Sequence, residues 1–160
     1  MDPMTEERFE VRREIAAQPT EIFALLCSPE GHVSIDSTGM LQSAAGETIT
    51  AVGDEFVVQM DRESLNDFPE MGKYDVTVTI TDFEKDTHIA WTVSREGQVP
   101  PIEHRYGYRV EPSEIGTSVT SYYDWSQIPA KYRDMGVFPI LPESALRASL
   151  GLLARTVEKK

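Results

Sequence analysis

Pro142-Glu143-Ser144-Ala145-Leu146-Arg147-Ala148-Ser149-Leu150-Gly151-Leu152-Leu153-Ala154-Arg155-Thr156-Val157-Glu158 is the stretch from which the architecture can be read. Leu146, Leu150, Leu153 and Val157 recur at spacings of four, three and four, which a 3.6-residue period places on one stripe. The pattern predicts one amphipathic helix from near Pro142 to near Glu158. Gly151 stands in its middle, where glycine costs about 1 kcal/mol relative to alanine. Ala145, Ala148 and Ala154 are small as well. Residues this small let a strand backbone or a ligand come close to the helix.

Upstream of this helix the period shortens to two. Between residues 73 and 83, Tyr74, Val76, Val78 and Ile80 alternate with Asp75, Thr77, Thr79 and Thr81, the pattern of a half-buried antiparallel strand. Glu84-Lys85-Asp86 turns the chain into 87–95, where Ile89, Trp91 and Val93 share a face. After a break at 97–101, His104, Tyr106, Tyr108 and Val110 line one side of the next strand. Past the turn 112–116, Val119, Ser121, Tyr123 and Trp125 do so over 117–126. Phe56, Val58 and Met60 mark a strand at 55–61, and Phe9, Val11, Arg13 and Ile15 mark the first at 8–15. Met40, Leu41 and Gln42 predict a short strand before the break Ala44-Ala45-Gly46. A polar loop holds Asn66, Asp67, Pro69 and Gly72.

Two brief helices are expected after the first strand. Pro19 suits the first turn of one, and Ser28-Pro29 the cap and first turn of the other, which runs through His32, Val33 and Ile35. The expected class is α+β: one domain over 1–160, with six to seven antiparallel strands curved round the last helix and a pocket between them.

Bulk properties narrow the partners. At 160 residues the chain is long enough to bury roughly two-thirds of its unfolded surface. Its 27 acidic against 15 basic side chains set a formal charge of −12, which repels phosphate backbones and anionic lipid. Nucleic acid and membrane insertion are therefore not expected, since no apolar run of about 18 residues occurs either. Cys27 is the only cysteine, so neither an intrachain disulfide nor a multi-cysteine zinc site can form. Met1 to Arg13 is charged and lacks an apolar core, so a cytoplasmic location is expected.

Several segments together carry a resemblance. They are Ile15-Ala16-Ala17-Gln18-Pro19-Thr20-Glu21-Ile22-Phe23, Ser28-Pro29-Glu30, Val52-Gly53-Asp54-Glu55-Phe56, Gly116-Thr117-Ser118-Val119-Thr120 and Ser149-Leu150-Gly151-Leu152-Leu153. In this order they resemble the SRPBCC, or START-like helix-grip, superfamily. That superfamily includes START lipid-transfer domains, birch-pollen-allergen-type proteins and bacterial polyketide cyclase/dehydrase-like proteins, and the last branch is the nearest in pattern. The resemblance implies a seven-stranded sheet gripping the last helix over a deep apolar cavity. It implies no single activity, because one fold hosts many functions. The chain departs from the plant-allergen branch, since Phe68-Pro69-Glu70-Met71-Gly72 holds a single glycine. Nothing in it suggests the iron-sulfur ligands of the related ring-hydroxylating oxygenases.

The expected cavity wall combines Phe56, Met60, Tyr74, Trp91, His104, Tyr106, Tyr108 and Tyr123 from the strands with Leu146 and Leu150 from the helix and Phe138 from a loop. Apolar walls with a few polar tips suit a hydrophobic small molecule, lipid- or polyketide-like. His104 is the candidate for proton transfer, because an imidazole titrates near neutrality, and Tyr123 could polarise a carbonyl beside it. An aromatase/cyclase or dehydratase is thus the alternative, and a co-chaperone-like interaction module another. No cofactor or metal is expected. His32 and Asp36 lie four apart, on one face if helical, but lack a third ligand. Ser126, Ser144 and Cys27 show no nucleophile elbow or paired histidine. Asp61 with Arg62 and Glu103 with Arg105 read as solvated edge charges. In 128–141, Tyr132, Met135, Val137, Phe138 and Ile140 need cover, either as a lid or as a turn packed on the sheet. A monomer and a homodimer are both compatible with the residues.

Overall fold

The computed structural model describes residues 7–66 and 69–158. Strand β1 (Arg8–Ile15) leads into helices α1 (Pro19–Leu26) and α2 (Pro29–Ser34). Six strands follow: β2 (Leu41–Ala45), β3 (Glu55–Asp61), β4 (Lys73–Glu84), β5 (His88–Ser94), β6 (Arg105–Ser113) and β7 (Gly116–Asp124). A 3₁₀ turn (Pro69–Met71) precedes β4, a short helix α3 (Ala130–Arg133) follows β7, and α4 (Glu143–Val157) closes the described chain. Of the expected polar loop, Asp67 lies outside the described residues, as does Phe68.

All seven strands join one antiparallel sheet in the order β1-β7-β6-β5-β4-β3-β2. Pairing of β1 with β7 places the first strand beside the last, so the sheet returns to its start and curls round α4. The helix lies on β1, β7 and α1, where Leu146, Leu150, Leu153, Ala154 and Val157 are buried. Its end is tied back by Glu158, whose carboxylate accepts from the Ala16 N–H at 2.8 Å. The expected α+β helix-grip architecture is the one observed.

Local chemistry accounts for the element ends. Ser28 caps α2 by accepting from the Gly31 N–H at 3.2 Å, with Pro29 at the first helical position. α4 begins after Pro142 with Glu143 in its first turn, where a carboxylate complements the helix dipole. Within β6, Gly107 has no side chain because the Tyr122 ring occupies that space: an added Cβ would lie 2.2 Å from the ring. Tyr122 therefore lies flat on the outer face, covered by Arg8 at 4.0 Å and held by His88 Nε2 at 2.7 Å from its hydroxyl.

Five local expectations change. β2 runs through Ala44 and Ala45 rather than breaking there, because both pair with β3. Trp125 stands just past β7, and His104 just before β6 after Glu103 at φ 63°. Asp36 lies beyond the end of α2, so the helical spacing from His32 does not apply. Asp61 is only 2% exposed, and its carboxylate accepts from the Ser64 N–H at 2.8 Å, organising the following turn. Arg105, by contrast, stays solvated as expected, 3.8 Å from the exposed Asp82 across the sheet.

Gly151 resolves simply. The nearest atom to an added Cβ would be Arg13 Nη1 at 3.7 Å, an ordinary contact, so no strand backbone crowds this position.

Candidate functional site

A cavity of about 150 Å³ lies between the inner sheet face and the first half of α4. Alternation in the strands builds its floor: Val58 and Met60 from β3, Val76 and Val78 from β4, Trp91 and Val93 from β5, Tyr106 and Tyr108 from β6, and Ser121 from β7. His32, Ile35 and the loop Asp36, Ser37, Thr38 and Met40 form one side, with Leu41 of β2. Leu141, Ala145, Leu146 and Ser149 form the roof. The space exists because α4 turns small side chains, Ala145 and Ser149, toward this part of the sheet.

One aromatic layer dominates the floor. Trp91 stacks between Tyr106, with ring centres 6.2 Å apart, and Tyr108, at 5.9 Å. His32 leans on Trp91 at 4.4 Å and meets Phe56 edge-on at 4.9 Å. The His32 Nε2–H donates to the Leu26 carbonyl at 2.8 Å, which leaves Nδ1 as a lone-pair acceptor. Burial pushes His32 down to about 4, so the ring is neutral near pH 7.

The polar tips have partners of their own. Ser121 and Ser149 hydroxyls lie against that of Tyr108, whose pKa burial raises to about 12. Ser149 also reaches Ser37, at 3.3 Å, and Ser37 donates to the Ala145 carbonyl at 2.8 Å, fastening the loop to the roof. Asp36 shapes that loop. One carboxylate oxygen accepts from the Thr38 N–H at 2.9 Å and hydroxyl at 2.6 Å, the other from the Leu41 N–H at 2.9 Å. Burial raises the Tyr106 hydroxyl too, with Asp36 adding to the effect.

A second aromatic group lies beside this one and is filled. His104, 2% exposed, has Nδ1 2.8 Å from the Tyr123 hydroxyl and touches Tyr106 and Phe138 edge-on at 5.3 and 5.8 Å. The Ile140 backbone comes near the Tyr123 oxygen on its other side. His104 Nε2 is buried without a hydrogen-bond partner; the Val93 backbone comes near without completing one. Burial lowers His104 to about 4 and raises Tyr123 strongly.

Of the residues expected to bind ligand, the cavity brings together Met60, Trp91, Tyr106, Tyr108 and Leu146. Phe56 packs behind His32, and Leu150 lies further along α4 in the core. Tyr74, near the start of β4, does not line this cavity, and Arg95 covers its ring at 4.4 Å. His104, Tyr123 and Phe138 form the filled group. The segment 128–141 packs on that group through Ile128, Tyr132 and Phe138, and reaches the cavity with Leu141. Tyr132 donates to the Pro100 carbonyl and Lys131 to that of Val99, at 3.0 Å, while Met135, Val137 and Ile140 stay exposed.

Among the wall residues not anticipated are the polar groups His32, Asp36, Ser37, Thr38, Ser121 and Ser149. Ser149 was the most readable, four residues after Ala145 at the flank of the apolar stripe. The loop residues carried no periodic signal. Cys27 is buried at the end of α1, which pushes its thiol up to about 11 and makes it unreactive. Among the described residues no three His, Cys, Asp or Glu side chains converge as metal ligands would, and no helix is long and apolar enough to cross a membrane.

No protein-family model matches the chain, and no curated protein matches it in sequence. Solved structures do match in shape. The AHSA1-like protein from Aeromonas hydrophila is 14% identical with a TM-score of 0.59, the match covering 94% of this chain and 92% of that one. The Aha1 dimer from Colwellia psychrerythraea is 12% identical at a TM-score of 0.61, covering 94% and 96%. DynU16, from the dynemicin biosynthetic locus, is 13% identical at 0.62; the match spans 97% of this chain and 48% of that protein. At such identities the likeness establishes the helix-grip fold and nothing finer.

Proposed function

We propose that this chain binds a small apolar or aromatic molecule between the sheet and the first half of α4. The supporting observation is the cavity, about 150 Å³ with walls that are mostly valine, leucine, methionine and aromatic rings. An apolar void of about that size holds a benzene-sized guest. A whole lipid or a folded polyketide chain exceeds this room, whereas a single ring or chain end fits it.

Titration calorimetry with benzene-sized aromatics tests this reading. Binding is expected in the parent protein. It should weaken at least tenfold in Ala145→Leu, which fills the roof, with the melting temperature unchanged or raised. Failure of every such probe to bind the parent protein would sink the proposal.

One observation favours a second reading, proton-transfer chemistry of the aromatase/cyclase or dehydratase kind. His104 and Tyr123 share a 2.8 Å hydrogen bond, and Tyr106 touches His104 while also lining the cavity. Turnover of polyketide-like substrates that is unchanged in both His104→Ala and Tyr123→Phe would remove this assignment.

A further inference from the structure

The cavity wall is asymmetric in charge and in hydrogen-bonding capacity. Among the described residues it contains no lysine or arginine, and its one charged side chain is Asp36. His32 is neutral, so nothing on the wall can pair with an anion. A carboxylate or phosphate taken into this space would lose its water, meet no counter-charge and face Asp36. The formal charge of −12 on the chain acts in the same direction.

Two donors on the same wall are unused. Trp91 is 8% exposed, yet its indole N–H donates to no described residue, and the same is true of the Tyr106 hydroxyl. Neither group is sealed away from the open space. An indole N–H can only donate, and buried donors in folded proteins find acceptors. The Ser37, Ser149 and Tyr108 hydroxyls, by contrast, already contact one another or the backbone.

We infer that the occupant is electrically neutral and carries a hydrogen-bond acceptor, such as a carbonyl oxygen, on an aromatic or compact aliphatic body. The acceptor takes the Tyr106 O–H or the Trp91 N–H while the apolar body lies against Val58, Val76 and Leu146. This inference rests on the cavity-binding reading above and adds ligand class to it: free fatty acids and other anions are excluded, and neutral ketones, esters or amides of small size are selected.

Three probes of similar shape separate the possibilities: acetophenone, ethylbenzene and benzoate, titrated into the full chain. Acetophenone is expected to bind, and benzoate to bind at least a hundredfold more weakly. In Tyr106→Phe, acetophenone should weaken about three- to tenfold, the range of one net hydrogen bond, with ethylbenzene unchanged. The carbonyl stretch of bound acetophenone should lie below its frequency in hexane, a readout that needs no variant. Benzoate binding as tightly as acetophenone, or a carbonyl stretch equal to that in hexane, overturns the inference while leaving the cavity reading intact. An acetophenone affinity unchanged in Tyr106→Phe removes Tyr106 as the donor and transfers the role to Trp91 if the stretch is still lowered. If none of the three binds, the cavity reading falls and this inference with it.

Discussion

The two halves of α4 do opposite things with the same apolar stripe. Toward its C-terminal end, Leu150, Leu153, Ala154 and Val157 are 0–6% exposed and pack with Val11, Ile15, Ile22 and Val119 into one continuous core. Toward its start, Leu146 is buried as well, but it stands beside Ala145 and Ser149 and borders the cavity. The filled half holds the helix in place; the other half, held by it, spans an opening. Burying each leucine of the filled half is worth about 1.5–3 kcal/mol, so the helix can leave part of its length unpacked without detaching.

The largest test of this contrast is truncation at each end. Leu153→Ala is expected to lower stability by about 3–5 kcal/mol in urea unfolding, because a sealed core cannot collapse onto the void. Leu146→Ala should cost about 2 kcal/mol, near the low end for such changes, since its side chain already borders open space. Equal losses at the two positions would mean that the halves do not differ as described.

Acid provides the next test, with one histidine in each region. His32 beside the cavity and His104 in the filled group both have folded values of about 4, lowered by burial. Free histidine titrates near 6.5. As pH falls below about 6.5 the unfolded chain takes up protons that the folded chain refuses, so stability is full above that pH and declines toward pH 4. Between pH 7 and pH 5 the loss should be roughly 2 kcal/mol for each imidazole, measured by denaturant titration. His104→Phe and His32→Phe should each remove a comparable share of the decline, with part of the remainder coming from His88, whose value burial also lowers. A decline that only His104→Phe reduces would show that His32 is hydrated from the cavity.

The smallest effect is expected at the junction of the two halves. Gly151→Ala has room, with Arg13 Nη1 3.7 Å away, and should raise stability by up to about 1 kcal/mol through helix propensity. Destabilisation instead would indicate a closer approach of β1 to the helix than the 3.7 Å contact implies.

Much of this arrangement is legible in the sequence. The leucine stripe, the alternation of Tyr106 with Tyr108 and of Trp91 with Val93, and the Ser28 cap are local signals with local causes, and each is found in place. The candidate site was legible only in part. Alternation correctly assigned Trp91, Tyr106, Tyr108 and Tyr123 to one side of the sheet, but carried no information on position across it. Tyr123 and Tyr106 are cross-strand partners, yet only Tyr106 borders the cavity. By spacing, His104 continues the β6 alternation, but β6 begins only at Arg105, after Glu103 at φ 63°. His32 and Asp36 would share a face only if both were helical, whereas α2 stops at Ser34 and the loop beyond it brings Asp36 to the cavity beside His32.

From the order of residues alone came the periods, and with them the elements, their sequence along the chain and the face that each one buries. Those follow from backbone geometry, which repeats every two or 3.6 residues whatever lies nearby. The opening under Ala145 and Ser149, the filled cluster round His104 and the unused donors of Trp91 and Tyr106 came from the assembled fold. A cavity is a small difference between two large volumes, the space enclosed by sheet and helix and the side chains that fill it, and that difference exists only once strands distant in sequence have set the enclosure.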